Sequence, residues 1–85
     1  MWFVYILKCA DNSLYTGITN NIENRLNDHK HGKGAKYMRG RSPFELVYCE
    51  ELESRSEASK REYHIKSLTK EKKLQLFTIV PFRQM

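Results

Sequence analysis

The hydrophobic positions at the start of the chain predict a β-hairpin. Residues 2–8 form an almost unbroken run of β-branched and aromatic side chains, which is typical of a central strand that is covered on both faces. Turn-forming residues follow at 10–13, and residues 14–19 resume an extended pattern. We therefore expect residues 2–19 to form two paired strands. Gly17 interrupts the second strand, which indicates a bulge or the close approach of another group.

A helix and a glycine-rich segment follow this hairpin. Asn20 and Glu23 form a candidate capping box, so we expect a helix over about residues 21–31 that ends at Gly32. Residues 32–43 are rich in Gly, Lys and Arg and show no apolar periodicity. This composition predicts a surface loop.

A third strand and two more helices complete the predicted fold. Residues 44–49 alternate imperfectly between apolar and polar side chains and include an acidic one, as an edge strand does. Ser54 begins a second capping box, for a helix over 55–68, and Thr69 is a candidate cap for a short helix to about Phe77. The order β-β-α-β-α-α predicts an α+β fold, in which helices flank a three-stranded, mainly antiparallel sheet.

Length and composition fit one small domain. A chain of 85 residues is too short to form two hydrophobic cores. Its composition, 40% hydrophobic and 29% charged, is too apolar for a disordered chain. We expect a single domain over residues 1–80 and a short tail at 81–85. The first apolar run is too short for a signal sequence or a membrane span, so we expect a cytoplasmic protein without a membrane partner. Cys9 and Cys49 are expected to be buried free thiols.

The charge balance favours a polyanionic partner, because the formal net charge is +5. In the glycine-rich segment, four cations surround one aromatic residue, an arrangement that suits phosphate contacts and one stacked base. These residues are Lys33, Lys36, Tyr37, Arg39 and Arg41. Such contacts would bind nucleic acid without reading its sequence. The structural alternative is a mobile, solvated loop.

Three polar side chains lie where helical geometry predicts apolar neighbours. Arg25 and His29 are four residues apart on the first helix and point towards the body of the protein. Glu62 lies inside the apolar arc of the second helix, where a carboxylate needs a cation. It is either a ligand for a hard cation such as Mg²⁺ or the partner of Lys66 in an ion pair. Each of the other two residues also has a purely structural explanation. The aliphatic part of Arg25 could cover apolar surface, and His29 could be a buried imidazole with its hydrogen bonds satisfied.

Two tyrosines lie on the paired strands. Tyr5 and Tyr15 share a sheet face only if the connecting loop holds an odd number of residues or a bulge, which the sequence leaves open. Each is otherwise explained as ordinary strand packing. If both hydroxyls converge with Arg25, His29 and Glu62, the cluster contains groups for phosphate oxygens and a carboxylate for a metal. That combination favours phosphodiester chemistry.

The order of these residues resembles the GIY-YIG nuclease domain. The matching elements are Phe3-Val4-Tyr5, Tyr15-Thr16-Gly17, Arg25, His29 and Glu62. The resemblance extends from residue 3 to about residue 68, and Phe3-Val4 stands where the family name has glycine and isoleucine. The chain is most similar to the small stand-alone GIY-YIG proteins of bacteria, an uncharacterised group.

The resemblance implies a metal-dependent endonuclease that acts on DNA, with nicked, branched or damaged DNA in repair or recombination as candidate substrates. It implies that Glu62 holds one divalent metal, Mg²⁺ or in its place Mn²⁺. Arg25 would orient and neutralise the scissile phosphate, while Tyr5 and Tyr15 would position or activate the attacking water. Which tyrosine is the base stays open, since an unperturbed phenol has a pKa near 10.

Two further residues have supporting roles by resemblance. Gly17 would let the substrate approach, and His29 is a candidate proton carrier. Two other functions remain: a non-catalytic nucleic-acid-binding module, and a module that docks a protein partner, which would supply specificity. Glu62 favours the enzyme, because a binder has no need of a carboxylate facing its phosphate site. The chain is expected to be a monomer or a weak dimer.

Overall fold

The fold consists of one sheet and three α-helices in the part of the chain that is described. A computed structural model describes residues 1–38 and 40–79, without the side chains of 77–79. The strands are β1 (Trp2–Cys9), β2 (Leu14–Thr19) and β3 (Phe44–Leu52), and the helices are α1 (Ile22–Lys30), α2 (Arg55–Lys66) and α3 (Lys70–Ile79). The sheet order is β2-β1-β3, and both pairings are antiparallel. The predicted α+β class, element order, central β1 and edge position of β3 are confirmed.

Strand β1 divides the hydrophobic core into two halves. Its residues Val4 to Leu7 are fully buried, and successive side chains point to opposite faces of the sheet. Val4 and Ile6 pack with Ala58 and Ile65 of α2. On the other face, the core residues are Tyr5, Leu7, Cys9, Ile22 and Met38. The unbroken apolar run at the start of the chain therefore reflects burial on both faces.

Strand β3 contains a bulge and is joined to α2 by side-chain hydrogen bonds. Ile6 is opposite Tyr48 and Leu7 is opposite Leu46, so Val47 is an extra residue in β3. The Tyr48 hydroxyl donates to Glu50 Oε2 at 2.6 Å, and Arg61 Nε of α2 donates to Glu50 Oε1 at 3.1 Å. These bonds fix one flank of α2 against β3.

Side-chain caps begin the three helices. Asn21 Oδ1 accepts a hydrogen bond from the Asn24 backbone N–H at 3.0 Å. The cap of α1 is therefore Asn21, and the predicted cap at Asn20 is wrong by one residue. Ser54 and Thr69 each accept a bond from the third backbone N–H that follows, as predicted.

The glycine-rich segment is more ordered than its composition predicts. Residues Lys36–Met38 form a 3₁₀ turn, and Met38 is buried in the half of the core that contains Tyr5. Its Sδ accepts a hydrogen bond from the Cys9 thiol at 3.7 Å. The interpretation of 32–43 as a surface loop is thus correct for its exposed lysines and wrong for Met38. Sequence reasoning missed this anchor because one apolar residue in a loop shows no period.

The two thiols differ in burial. Cys9 and Cys49 are both free, and Cys9 is buried as predicted, whereas Cys49 is only half-buried because it lies on edge strand β3. Burial and the nearby Glu51 and Glu50 raise the pKa of Cys49 to about 11, so the thiol stays protonated at neutral pH.

Other predictions concern the ends of the chain and its environment. The predicted tail at 81–85 lies outside the described residues, and the domain boundary at residue 80 stays a prediction. None of the described helices has the length and apolar character that crossing a bilayer requires.

Replacing Ile65 by alanine should unfold the protein at a lower denaturant concentration. The side chain is fully buried between α2 and β1, so its truncation should cost about 2–5 kcal/mol. Urea unfolding followed by circular dichroism measures this loss. Lys60→Ala on the exposed side of the same helix is the control, and equal midpoints for the two variants would contradict the assigned core.

Candidate active site

The register of the hairpin brings Tyr5 and Tyr15 to one face. Tyr5 is paired with Gly17, and the loop after the last pair, Lys8 with Leu14, holds residues 9–13. Its odd length meets the condition for a shared face, and the tyrosine ring centroids are 6.2 Å apart. A Cβ on Gly17 would lie 2.6 Å from Tyr5 Oη and 3.0 Å from Tyr15 Cε2. The group that approaches Gly17 is therefore Tyr5, and approach by a substrate stays a prediction.

The Tyr5 hydroxyl forms a buried hydrogen bond with α1. Its oxygen lies 2.9 Å from Nε2 of His29, whose side chain is 3% exposed. The other ring nitrogen, Nδ1, has no hydrogen-bond partner among the described residues. A Cβ on Gly34 would overlap the His29 ring, so the Gly34 backbone lies directly against it. Sequence reasoning did not find this role of Gly34, and the glycines of the segment were its only signal.

The electrostatic environment keeps Tyr5 and His29 neutral at rest. Burial raises the pKa of Tyr5 to about 12, with Tyr15 and Glu62 adding to the effect and Arg25 opposing it. Burial and the charge of Arg25 lower the pKa of His29 below its ordinary value. At neutral pH the cluster therefore contains a phenol, an uncharged imidazole and the Arg25 guanidinium. Burial also lowers the pKa of Arg25, but the hydroxyls of Tyr5 and Tyr15 outweigh it and raise the pKa overall.

Glu62 lies on α2, the helix that packs against Val4 and Ile6. Its charge raises the pKa of Tyr5, which places it within electrostatic range of the phenol. Its side chain is 23% exposed, and Lys66 Nζ lies 3.2 Å from Oε2, so the ion pair considered from sequence is present. Such an i,i+4 pair on a helix stabilises by only about 0.3–0.5 kcal/mol, so a competing cation displaces Lys66 at little cost.

The donor set fits a metal with few protein ligands. Within residues 1–38 and 40–79, no group of three or more His, Cys, Asp or Glu side chains could hold a metal. A metal at Glu62 would therefore have at most two ligands of these types among the described residues. Mg²⁺ is commonly bound by one or two carboxylates, with water and substrate phosphate as the other ligands. The partly exposed Glu62 carboxylate is compatible with that mode.

A column of rings connects the buried cluster to the surface. Tyr15 lies edge-on to His29 at 5.5 Å between centroids and is stacked on Tyr37 at 5.6 Å. Tyr37 is 43% exposed, and the Arg41 guanidinium lies 4.2 Å above its ring. Arg41 also binds Asp11, so part of its hydrogen-bonding capacity is already used.

The structure brings together most of the residues selected from sequence. Tyr5, Tyr15, Arg25 and His29 form one cluster with Gly17, and Tyr37 and Arg41 adjoin it. Glu62 lies within electrostatic range of Tyr5. Lys33 and Lys36 are exposed on the glycine-rich segment. Arg39 lies outside the described residues. The functional roles of all these residues stay predictions.

Comparison with known proteins identifies the family of this chain. The family model of the GIY-YIG catalytic domain matches residues 1–75. The chain belongs to the GIY-YIG family. It is 59% identical over 78 residues to a UPF0213 protein of Clostridium perfringens, covering 92% of this chain and 84% of the relative. It is 57% identical over 74 residues to a UPF0213 protein of Oceanobacillus iheyensis, covering 87% and 86%.

Two solution NMR structures share this GIY-YIG fold. A UPF0213 protein of Bacillus halodurans is 48% identical, with a TM-score of 0.60 over 93% of this chain and 85% of that one. A protein of E. faecalis is 41% identical, with a TM-score of 0.63 over 98% and 90%. The expected resemblance to small stand-alone GIY-YIG proteins is confirmed.

Gly17→Ala should lower the free energy of unfolding of the GIY-YIG domain by about 1–3 kcal/mol, because the added Cβ would force the Tyr5 ring to move. Urea unfolding measures the loss. The same substitution in a Tyr5→Leu background is the control, since leucine lacks the ring atoms that Cβ would meet. An equal cost in both backgrounds would rule out the Tyr5 contact as the cause.

The low pKa of His29 predicts a pH-dependent stability. Because the folded state binds this proton less readily than the unfolded state, the stabilisation is complete above about pH 6.5 and is lost as the pH falls through the folded pKa. The free energy of unfolding should fall by about 1 kcal/mol or less from this group between about pH 7.5 and 5.5. In His29→Phe, this part of the pH dependence of the unfolding free energy should disappear. In His31→Ala, which changes an exposed histidine, the pH dependence should match that of the wild type. Identical pH profiles for wild type and His29→Phe would contradict the assignment.

Proposed function

We propose that the protein is a metal-dependent endonuclease that hydrolyses phosphodiester bonds in DNA. We further propose nicked, flapped or branched DNA, of the kind formed in repair or recombination, as its substrate. The observation that carries the proposal is the proximity of Tyr5 to Arg25, with the Glu62 carboxylate within electrostatic range of the Tyr5 hydroxyl. A guanidinium, two hydroxyls and a carboxylate are the groups that phosphodiester hydrolysis uses. Membership in a nuclease family supports the general activity.

Arg25 is the group that neutralises the scissile phosphate. Its guanidinium lies beside the hydroxyls of Tyr5 and Tyr15 and keeps its charge at all physiological pH values. A fixed cation in a partly buried site stabilises the charge that develops on the phosphate without reorganising at the moment of reaction. The two hydroxyls hold the guanidinium in place and hydrogen-bond the attacking water.

The Tyr5–His29 pair offers a path for the proton of that water. A neutral imidazole has one nitrogen without a proton. Nε2 can therefore accept a hydrogen bond from the Tyr5 hydroxyl while Nδ1 carries the ring proton. The raised pKa of Tyr5 opposes this transfer in the free protein. Tyr5 therefore becomes a base only when positive charge gathers near its oxygen, and Arg25 already supplies part of that charge.

Glu62 is the residue that would hold the divalent cation, Mg²⁺ or Mn²⁺. When bound, this cation would polarise the phosphate and stabilise the leaving oxygen. The ion pair with Lys66 holds the carboxylate in place until then.

The glycine-rich segment supports the binding of DNA. Lys33, Lys36 and Arg41 provide positive charge, and Tyr37 provides a partly exposed ring. Contacts of this kind bind phosphates and stack bases without sequence specificity. A protein partner would then supply specificity to a monomer or weak dimer, and we propose the cytoplasm as the location.

A non-catalytic binding module is the second candidate. The Glu62–Lys66 ion pair favours it, because it gives the carboxylate a structural role. For this module, Glu62→Gln should leave DNA affinity unchanged or increase it, since a negative charge near the phosphates is removed. For the nuclease, the same variant should still bind DNA but not cut it.

Cleavage by the wild-type protein should need Mg²⁺ or Mn²⁺ and should fall by at least about 100-fold in Arg25→Ala and Glu62→Gln. Gel assays on supercoiled plasmid and on nicked, flapped and four-way DNA at low salt measure the rate and the preferred structure. Glu57→Gln, an exposed carboxylate on the same helix, is the matched control.

Equal cleavage by the wild-type protein and both site variants would point to a contaminating nuclease. Salt-dependent DNA binding without any metal-dependent cleavage would reject the nuclease and favour the binding module.

A further inference from the structure

An exposed aromatic side chain on α2 has no role in the site described above. Tyr63 is 79% exposed, the highest value among the large hydrophobic side chains of the described residues. It follows directly after Glu62 in the chain. An aromatic ring in water at such a position contributes little to the fold and offers a flat surface for a ligand.

Helix geometry places Tyr63 on the flank of α2 that carries Glu62. Successive residues are rotated by about 100°, so Lys66 lies about 40° and Tyr63 about 100° further round the helix than Glu62. Arg61 lies on the other side of the buried Ala58, where it binds Glu50 of β3. Since α2 also packs across β1 and β2, the flank that holds Glu62, Lys66 and Tyr63 faces away from β3.

The distribution of charge favours an anionic ligand on this flank. By the same rotation Arg55 lies about 20° further round α2 than Glu62, so this flank carries two cations, Arg55 and Lys66, and one carboxylate. Residues 44–54, in contrast, contain four Glu and neither Lys nor Arg. Lys66 extends its ammonium group to the Glu62 carboxylate, so a positive charge lies between the site and Tyr63. The acidic edge at β3 repels phosphates, and the α2 flank attracts them.

We propose that Tyr63 and Lys66 form a subsite, beside Glu62, for one unpaired nucleotide of the DNA. The Tyr63 ring stacks on the base, and Lys66 contacts its phosphate. The base must be unpaired, because bases inside a duplex stack on one another and expose only their edges to a protein. This inference rests on the proposed function and narrows the substrate to DNA that has a single-stranded segment next to the cleavage position.

Binding measurements on matched DNA test this subsite. The probes are a fluorescein-labelled duplex with a short single-stranded overhang, the same duplex with abasic nucleotides in the overhang, and the blunt duplex, all at low salt with EDTA. Fluorescence anisotropy should show that Tyr63→Ala weakens binding of the overhang by about tenfold, as expected for loss of one stacked base. Tyr63→Phe should bind as wild type because it keeps the ring. His64→Ala, which removes an exposed ring from the opposite flank, is the matched control.

The abasic probe makes the test specific. The wild-type protein should lose the same tenfold affinity for it, and Tyr63→Ala should lose nothing further, because one stacking contact cannot be removed twice. Additive losses, an equal loss on the blunt duplex, or no loss in Tyr63→Ala would each overturn the subsite.

The two proposals fail in different ways. If the wild-type protein binds none of the probes, the subsite is overturned, and metal-dependent cleavage alone decides the nuclease. If the stacking contact is found but Glu62→Gln does not change cleavage, the nuclease is rejected while the subsite stands. If cleavage depends on Glu62 and Tyr63→Ala binds every probe normally, only the subsite is overturned.

Discussion

The missing Cβ of Gly17 lets the Tyr5 ring lie against β2, and the geometry of the site depends on that space. From there the hydroxyl reaches His29 on α1, 24 residues further along the chain. The same face brings Tyr15 beside His29 and Tyr37 beside Tyr15. One strand pairing, Tyr5 with Gly17, thus connects the sheet, α1 and the glycine-rich segment. A shift of this pairing by one residue would place Tyr15 on the opposite face of the sheet from Tyr5.

The sequence predicted the elements well because their signals are local. The apolar run of β1 and the caps at Ser54 and Thr69 depend only on neighbouring residues. The shared face of Tyr5 and Tyr15 depends on whether the turn holds an odd number of residues, a count that composition alone does not determine. The bulge at Val47 and the burial of Met38 arise from packing between distant segments.

The candidate site contains few charged side chains, and several of its polar side chains are buried. Arg25 is its cation and Glu62 its carboxylate, while Tyr5 and His29 are held neutral by the surrounding core. Each of the site residues was identified from its type and position, but the sequence could not assign their protonation states. Those states depend on how much water each group loses and on which charges lie near it, and both are properties of the folded chain.

Two buried polar atoms have no hydrogen-bond partner among the described residues, Thr16 Oγ1 and His29 Nδ1. Each such atom costs a folded protein about 1–3 kcal/mol, a large share of the stability that 85 residues can provide. An apolar side chain at position 16 would relieve that cost, whereas at position 29 it would take away the hydrogen-bond partner of the buried Tyr5 hydroxyl. Replacing His29 would therefore exchange the unpaired Nδ1 for an unpaired Tyr5 oxygen, so thermal stability alone does not favour its loss.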